Sequence, residues 1–155
     1  LRFAGDFPNV AASSFVKPPS KAIVLVDDEK SYVDLLANML TENLGCPVIS
    51  FTRPLDALAA LPGLNVGVVV TDYHMPQMDG FEFIRAATPL VPGIPFIVIT
   101  GHSHLIDHII EPDSPLRSVL AKPFGWRTLA KEIALYAPEF VVPPPSPFDT
   151  NAFPR

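Results

Sequence analysis

The chain has 155 residues, of which 48% are hydrophobic and 17% charged, a balance that suits one packed domain with tails and argues against wholesale disorder. Its net charge of −5 leaves no electrostatic footprint for a duplex nucleic acid, and no apolar run approaches the roughly 18 residues of a membrane helix. The one cysteine, Cys46, excludes an intramolecular disulfide and fits a reducing, cytoplasmic setting as a small buried hydrophobe.

Residues 1–20 contain Pro8, Pro18 and Pro19 without periodicity and read as an N-terminal flank. The first residues, Leu1-Arg2-Phe3, start no signal peptide, and a chain without an initial Met reads as a piece of a longer protein. Ala-Ile-Val-Leu-Val (22–26) predicts a strand. Tyr32, Leu35, Leu36, Met39 and Leu40 recur at helical spacing over 30–43, and Gly45 stops that helix. A strand over 47–51 leads to a short helix near 54–61, with Pro54 in its first turn, where proline is tolerated. A strand over 66–71, a loop and a helix over 80–88 follow, then a strand over 95–100.

In the stretch 102–115, Pro112 and Pro115 would interrupt a helix, so a short, displaced or frayed one is expected. A strand over 117–121 and a helix over 125–137 complete the series. Residues 138–155, with Pro143-Pro144-Pro145-Ser146-Pro147, read as a proline-rich tail, solvated or packed back; a loose PxxP match is the weaker reading. The domain itself is expected over 21–137.

Strands alternating with helices imply α/β topology and a parallel sheet covered on both faces. The first, third, fourth and fifth strands are nearly continuous aliphatic runs, which predicts that they are central. In an open parallel sheet the C-terminal strand ends share one edge, where ligands bind. Here those ends carry Asp27-Asp28, Asp72, Thr100-Gly101 and Lys122-Pro123-Phe124. Three acids, a hydroxyl and an ammonium converging at one point would suit a hard divalent cation and a phosphoryl group. Any one of the aspartates alone could equally cap the next helix.

The segments Val26-Asp27-Asp28-Glu29, Thr71-Asp72-Tyr73-His74-Met75-Pro76-Gln77-Met78-Asp79-Gly80, Thr100-Gly101 and Lys122-Pro123-Phe124 together resemble the receiver domain of two-component response regulators. Asp28, Asp72, Thr100 and Lys122 follow one another at separations of 44, 28 and 22 residues, and the likeness covers about residues 21–137. The resemblance implies a doubly wound, flavodoxin-like sheet of order 2-1-3-4-5. It implies Asp72 as the phospho-acceptor, with Mg²⁺ bound by Asp28 directly, by Asp27 largely through water, by Asp72 and by the backbone carbonyl of His74. Lys122 would pair with Asp72 and then with a phosphoryl oxygen, Thr100 would hydrogen-bond the phosphoryl group, and the Lys122–Pro123 bond would be cis. Gly101 would leave room for phosphate, while His74 and His102, each two residues beyond a site residue, would flank the attacking water and tune phosphoryl lifetime. The phosphodonor would be a histidine kinase or a histidine phosphotransfer protein, and a homodimer is compatible with the family. Such a domain is no conventional enzyme, since it catalyses only its own phosphorylation and dephosphorylation.

Two departures stand out. Val119 occupies the position where the family usually carries an aromatic switch residue, so output needs another readout. Residues 110–116 replace the small residues usual before the fifth strand. Both motivate an alternative, a receiver-like interaction module that is never phosphorylated. Other chemistries fit less well. His102-Ser103-His104-Leu105-Ile106-Asp107-His108 is one residue too long for the metal motif of metallo-β-lactamase-type hydrolases. No GxxxxGK[ST] is present, and His74 stands where a haloacid-dehalogenase-type phosphatase needs a second Asp.

Overall fold

The computed structural model describes residues 20–102 and 110–147. Five strands, β1 (Ala22–Val26), β2 (Val48–Phe51), β3 (Val66–Asp72), β4 (Phe96–Thr100) and β5 (Leu116–Ala121), form one parallel sheet in the order β2-β1-β3-β4-β5. Among the described residues, four α-helices lie between and after them: α1 (Lys30–Leu44), α2 (Pro54–Ala60), α3 (Gly80–Ala87) and α4 (Trp126–Tyr136). A 3₁₀ turn, Leu61–Gly63, extends α2. The expected elements are all present within a residue or two of their anticipated ends. The exception is the helix expected within 102–115: residues 103–109 lie outside the described part, and residues 110–115 hold a turn.

Alternation along the strands divides the core in two. Ile23, Leu25, Val68, Val70, Ile97 and Ile99 face Val33, Leu36 and Leu40 of α1 and Leu129, Ala130 and Ile133 of α4. Val24, Val26, Val69, Phe96 and Val98 face Ala57 and Leu61 on one side and Phe83, Ile84 and Ala87 of α3 on the other. A strand clothed on both faces has no polar side to show, which is why β1, β3 and β4 are buried along their whole length.

The fifth strand departs from the expectation that it is central. It pairs with β4 alone among the described strands, and only Leu116 of its six residues is buried. Arg117 and Ala121 are exposed and Ser118, Val119 and Leu120 are half-buried, so this is an edge strand that is only partly covered. Cys46 is buried and unpaired, and burial raises its thiol pKa.

Past α4 the chain turns back beneath the sheet. Phe140 is buried in the α1/α4 core, and a β-carbon on Gly67 would come within 2.6 Å of its ring. Lys21 pairs with Glu139 at 3.1 Å, and Arg127 donates to the carbonyl of Pro143 at 3.1 Å. Among the described residues no helix is long and apolar enough to cross a membrane.

Candidate functional site

The C-terminal ends of β1, β3, β4 and β5 meet on one edge of the sheet. In-register pairing sets Val26 beside Thr71, Asp72 beside Ile99 and Thr100 beside Ala121, so the residues that follow each strand are brought level. The ladder continues one step past regular structure: Tyr73 N–H donates to Ile99 O at 2.9 Å, and Lys122 N–H donates to Thr100 O at 2.7 Å. The Lys122–Pro123 peptide is cis, as expected.

Asp27, Asp28 and Asp72 come together here, each offering a carboxylate oxygen within 4.8 Å of the others. Asp27 and Asp72 are buried, whereas Asp28 is open to solvent. Asp27 also accepts the backbone N–H of Glu29 at 2.9 Å, which turns the chain from β1 into α1. Lys122 Nζ reaches into the cluster, 2.9 Å from Asp27 Oδ2 and 3.3 Å from Asp72 Oδ1.

Three carboxylates against one ammonium leave a formal charge of −2 on the cluster. Burial pushes the Asp72 pKa up, the Asp27 charge adds to this, and Lys122 opposes both without cancelling them. For Lys122, burial disfavours the charged form, but the hydrogen bond to Asp27 and the charges of Asp27 and Asp72 outweigh it and raise its pKa. A net negative, partly dry cluster of hard oxygen donors is suited to a small divalent cation.

Thr100 is fully buried at the end of β4, and its hydroxyl accepts the N–H of His102 at 3.0 Å. Gly101 is exposed, and a β-carbon there would touch nothing within 4 Å, so space around it is open rather than filled by the chain. His74 and His102 are both exposed, with ring centroids 5.2 Å apart. Val119, at the expected switch position, packs on the core face lined by α2 and α3. The histidine-rich motif that begins at His102 continues into residues 103–109, outside the described part.

Two features here escaped the sequence reading. Tyr32, by spacing one of the apolar positions of α1, has its ring centroid 4.4 Å from Lys122 Nζ. Asp79 caps α3, accepting the N–H groups of Phe81 and Glu82 while Glu82 accepts that of Asp79. The acid-x-x-Glu signature of such a box was legible in Asp79 and Glu82.

Residues 23–134 match the family model described as the response regulator receiver domain. The chain belongs to that family. It is thus a receiver domain of two-component signalling, a module whose family role is phospho-acceptance rather than conventional catalysis. It is 34% identical over 116 residues to the response regulator receiver protein CpdR of Brucella abortus (strain 2308), covering 73% of this chain and 93% of that protein. It is 32% identical over 104 residues to the C4-dicarboxylate transport transcriptional regulatory protein DctD of Rhizobium meliloti (strain 1021). That alignment covers 67% of this chain, yet the receiver spans only 22% of the length of DctD. Among solved structures it is similar to a CheY-like response regulator receiver domain protein from Methanospirillum hungatei JF-1, with a TM-score of 0.69 and 25% identity over 77% of this chain and 95% of that one. The fold also matches TrrA of Thermotoga maritima, solved in complex with Mg(2+)-BeF, with a TM-score of 0.65 and 23% identity over 75% of this chain and 98% of that one.

Proposed function

We propose that the receiver takes a phosphoryl group onto Asp72 from the phosphohistidine of a histidine kinase or a histidine phosphotransfer protein, in the cytoplasm, with Mg²⁺ as cofactor. The single observation that carries this reading is the convergence of Asp27, Asp28 and Asp72 with Lys122 lodged against two of them.

The donor set fits Mg²⁺: three carboxylates with oxygens within 4.8 Å and a formal deficit of two positive charges. Asp28, Asp27, Asp72 and the backbone carbonyl of His74 would hold it. When bound, the ion would neutralise charge on the transferring phosphoryl oxygens.

The residues of the chain do the rest. One oxygen of Asp72 attacks phosphorus in line, the phosphorus–nitrogen bond to the donor imidazole breaks, and the electron pair stays on that nitrogen. Asp72 suits this role because it is an acceptor-only group fixed at the end of a wholly buried strand. Lys122 shares its charge between Asp27 and Asp72 beforehand and gives a hydrogen bond to a phosphoryl oxygen afterwards. The Thr100 hydroxyl, tied to the His102 N–H at rest, would turn to donate to the phosphoryl group. The exposed rings of His74 and His102 flank the approach and would tune how readily water reaches the acyl phosphate.

The test is the intact mass of the protein after incubation with acetyl phosphate and Mg²⁺, beside EDTA and Asp72→Asn controls. A Mg²⁺-dependent phosphoryl adduct that the Asn variant lacks is the expected result. An adduct of equal yield on Asp72→Asn would remove Asp72 from its role, and no adduct on the native chain would favour an unphosphorylated interaction module.

A further inference from the structure

We propose that Tyr32 is a positioning residue for Lys122, its ring face holding the ammonium in the acid cluster; this rests on the phosphoryl-transfer reading of the site. The ring centroid lies 4.4 Å from Nζ, within the range of a cation–π contact. Tyr32 is fixed independently of Lys122. It sits in the first turn of α1, half-buried against the core that Val33 and Leu36 help to form, so the ring is a wall and not a mobile flap.

The geometry around Nζ explains why an aromatic belongs there. Asp27 Oδ2 and Asp72 Oδ1 lie at 2.9 and 3.3 Å, and the lysine side chain is 24% exposed. A four-carbon stem with an open flank can swing its charge into water. An acid placed on that flank would hold the charge but would also supply an oxygen competing with the phosphoryl group for an N–H. The face of a ring attracts the charge through its quadrupole and supplies no such oxygen. An ammonium has three donors, so with two directed to Asp27 and Asp72, one is left for the incoming group.

The test compares native protein with Tyr32→Phe, which keeps the ring, and with Tyr32→Leu and Tyr32→Met, which keep apolar bulk without it. The Mg²⁺-dependent rate of adduct formation from acetyl phosphate is expected to stay within about twofold for Tyr32→Phe. It should fall about 2- to 30-fold for the Leu and Met variants. An NMR readout separates positioning from packing: the Lys122 ε-methylene protons should carry an upfield ring-current shift in the native and Phe proteins that vanishes in the Leu and Met proteins. Melting curves identify any variant that fails to fold, and the other apolar variant then decides. Native rates in a folded Leu or Met variant, or no ring-current shift in the native protein, would overturn the role of Tyr32 while leaving the phospho-acceptor reading intact. A native protein that forms no adduct would overturn that reading and this one with it.

Discussion

Gly80 lies directly against the backbone of Asp72: a β-carbon at position 80 would stand 2.8 Å from the Asp72 carbonyl oxygen and 3.0 Å from the Tyr73 α-carbon. The N–H of Gly80 also donates to Tyr73 O at 2.8 Å, so the start of α3 is pinned to the end of β3. Both neighbours are backbone and cannot rotate away. Gly80→Ala is therefore expected to push α3 off the strand end, costing about 1–3 kcal/mol of stability. It should also slow phosphoryl uptake by tilting Asp72. Chemical denaturation and the acetyl phosphate assay would read the two effects, and an alanine variant with native values in both would refute the contact.

The Asp72 carboxylate is a liability for the fold when no cation is bound. Burial and the Asp27 charge raise its pKa in the folded state. As pH rises from the unfolded pKa, near 3.8, through the raised folded value, the unfolded chain gives up this proton before the folded chain does. The folded state then binds more protons, and stability falls with rising pH. In EDTA at pH 7, Asp72→Asn should melt at a higher temperature than native protein. The advantage should shrink as pH is lowered toward 4 and the native carboxyl regains its proton. A lower melting temperature for the Asn variant at pH 7 would contradict this.

Removing Lys122 has the opposite sign. Asp27 is 2% exposed and would lose its only close cation among the described residues, and the Asp72 pKa would rise further. Lys122→Met should cost about 1–3 kcal/mol at pH 7, the penalty of leaving a buried acceptor unmatched. The loss should diminish at acid pH, where Asp72, whose pKa burial and the Asp27 charge raise, takes up its proton. Urea denaturation at pH 7 and pH 4 would check both the size and the trend.

Magnesium should protect the protein against heat. A ligand that binds only the assembled acids stabilises by mass action, about 2.7 kcal/mol at a concentration a hundred times its dissociation constant. Asp28 is the exposed member of the trio, so Asp28→Ala should leave the metal-free melting temperature nearly unchanged while removing the Mg²⁺-induced rise. EDTA should reverse the rise in native protein. Thermal melts across a Mg²⁺ titration measure each of these.

Phe140 should matter more than its sequence context suggests. It is 4% exposed and packs beneath Gly67 in the α1/α4 core. Phe140→Ala is expected to cost about 3–5 kcal/mol. Gly67→Ala should cost about 1–3 kcal/mol, because a new methyl would collide with the Phe140 ring at 2.6 Å and crowd the Lys21 β-carbon at 3.1 Å.

Much of this was legible in the residues themselves. β1, β3 and β4 are buried on both faces, so their aliphatic runs announce both the strands and their central place. The acids could be read as a group because parallel strands deliver their C-terminal ends to one edge. What could not be read depends on contacts between distant elements. The edge position of β5 does not follow from its Val119-Leu120-Ala121 run, which reads like a buried stretch; only the strand order implied by the resemblance places it there. Tyr32 meets Lys122 only because the fold brings the first turn of α1 beside the residue that follows β5, and helical spacing records just that it faces inward. Phe140 stands between Pro138 and the Pro143-Pro144-Pro145 run, with no periodicity to reveal that it packs. The acid-x-x-Glu box at the start of α3, by contrast, is legible in Asp79 and Glu82 alone, because a cap joins residues three apart in the chain.

Gly67 and Asp72 stand at opposite ends of the same strand, about 16 Å apart at the usual rise per residue. The lower end holds the clamp on Phe140 and the upper end holds the acid. Substitutions at such a distance with no shared partner combine additively. β3 therefore gives the molecule two separate adjustments: robustness can drift at one end over evolutionary time while the chemistry at the other keeps its setting.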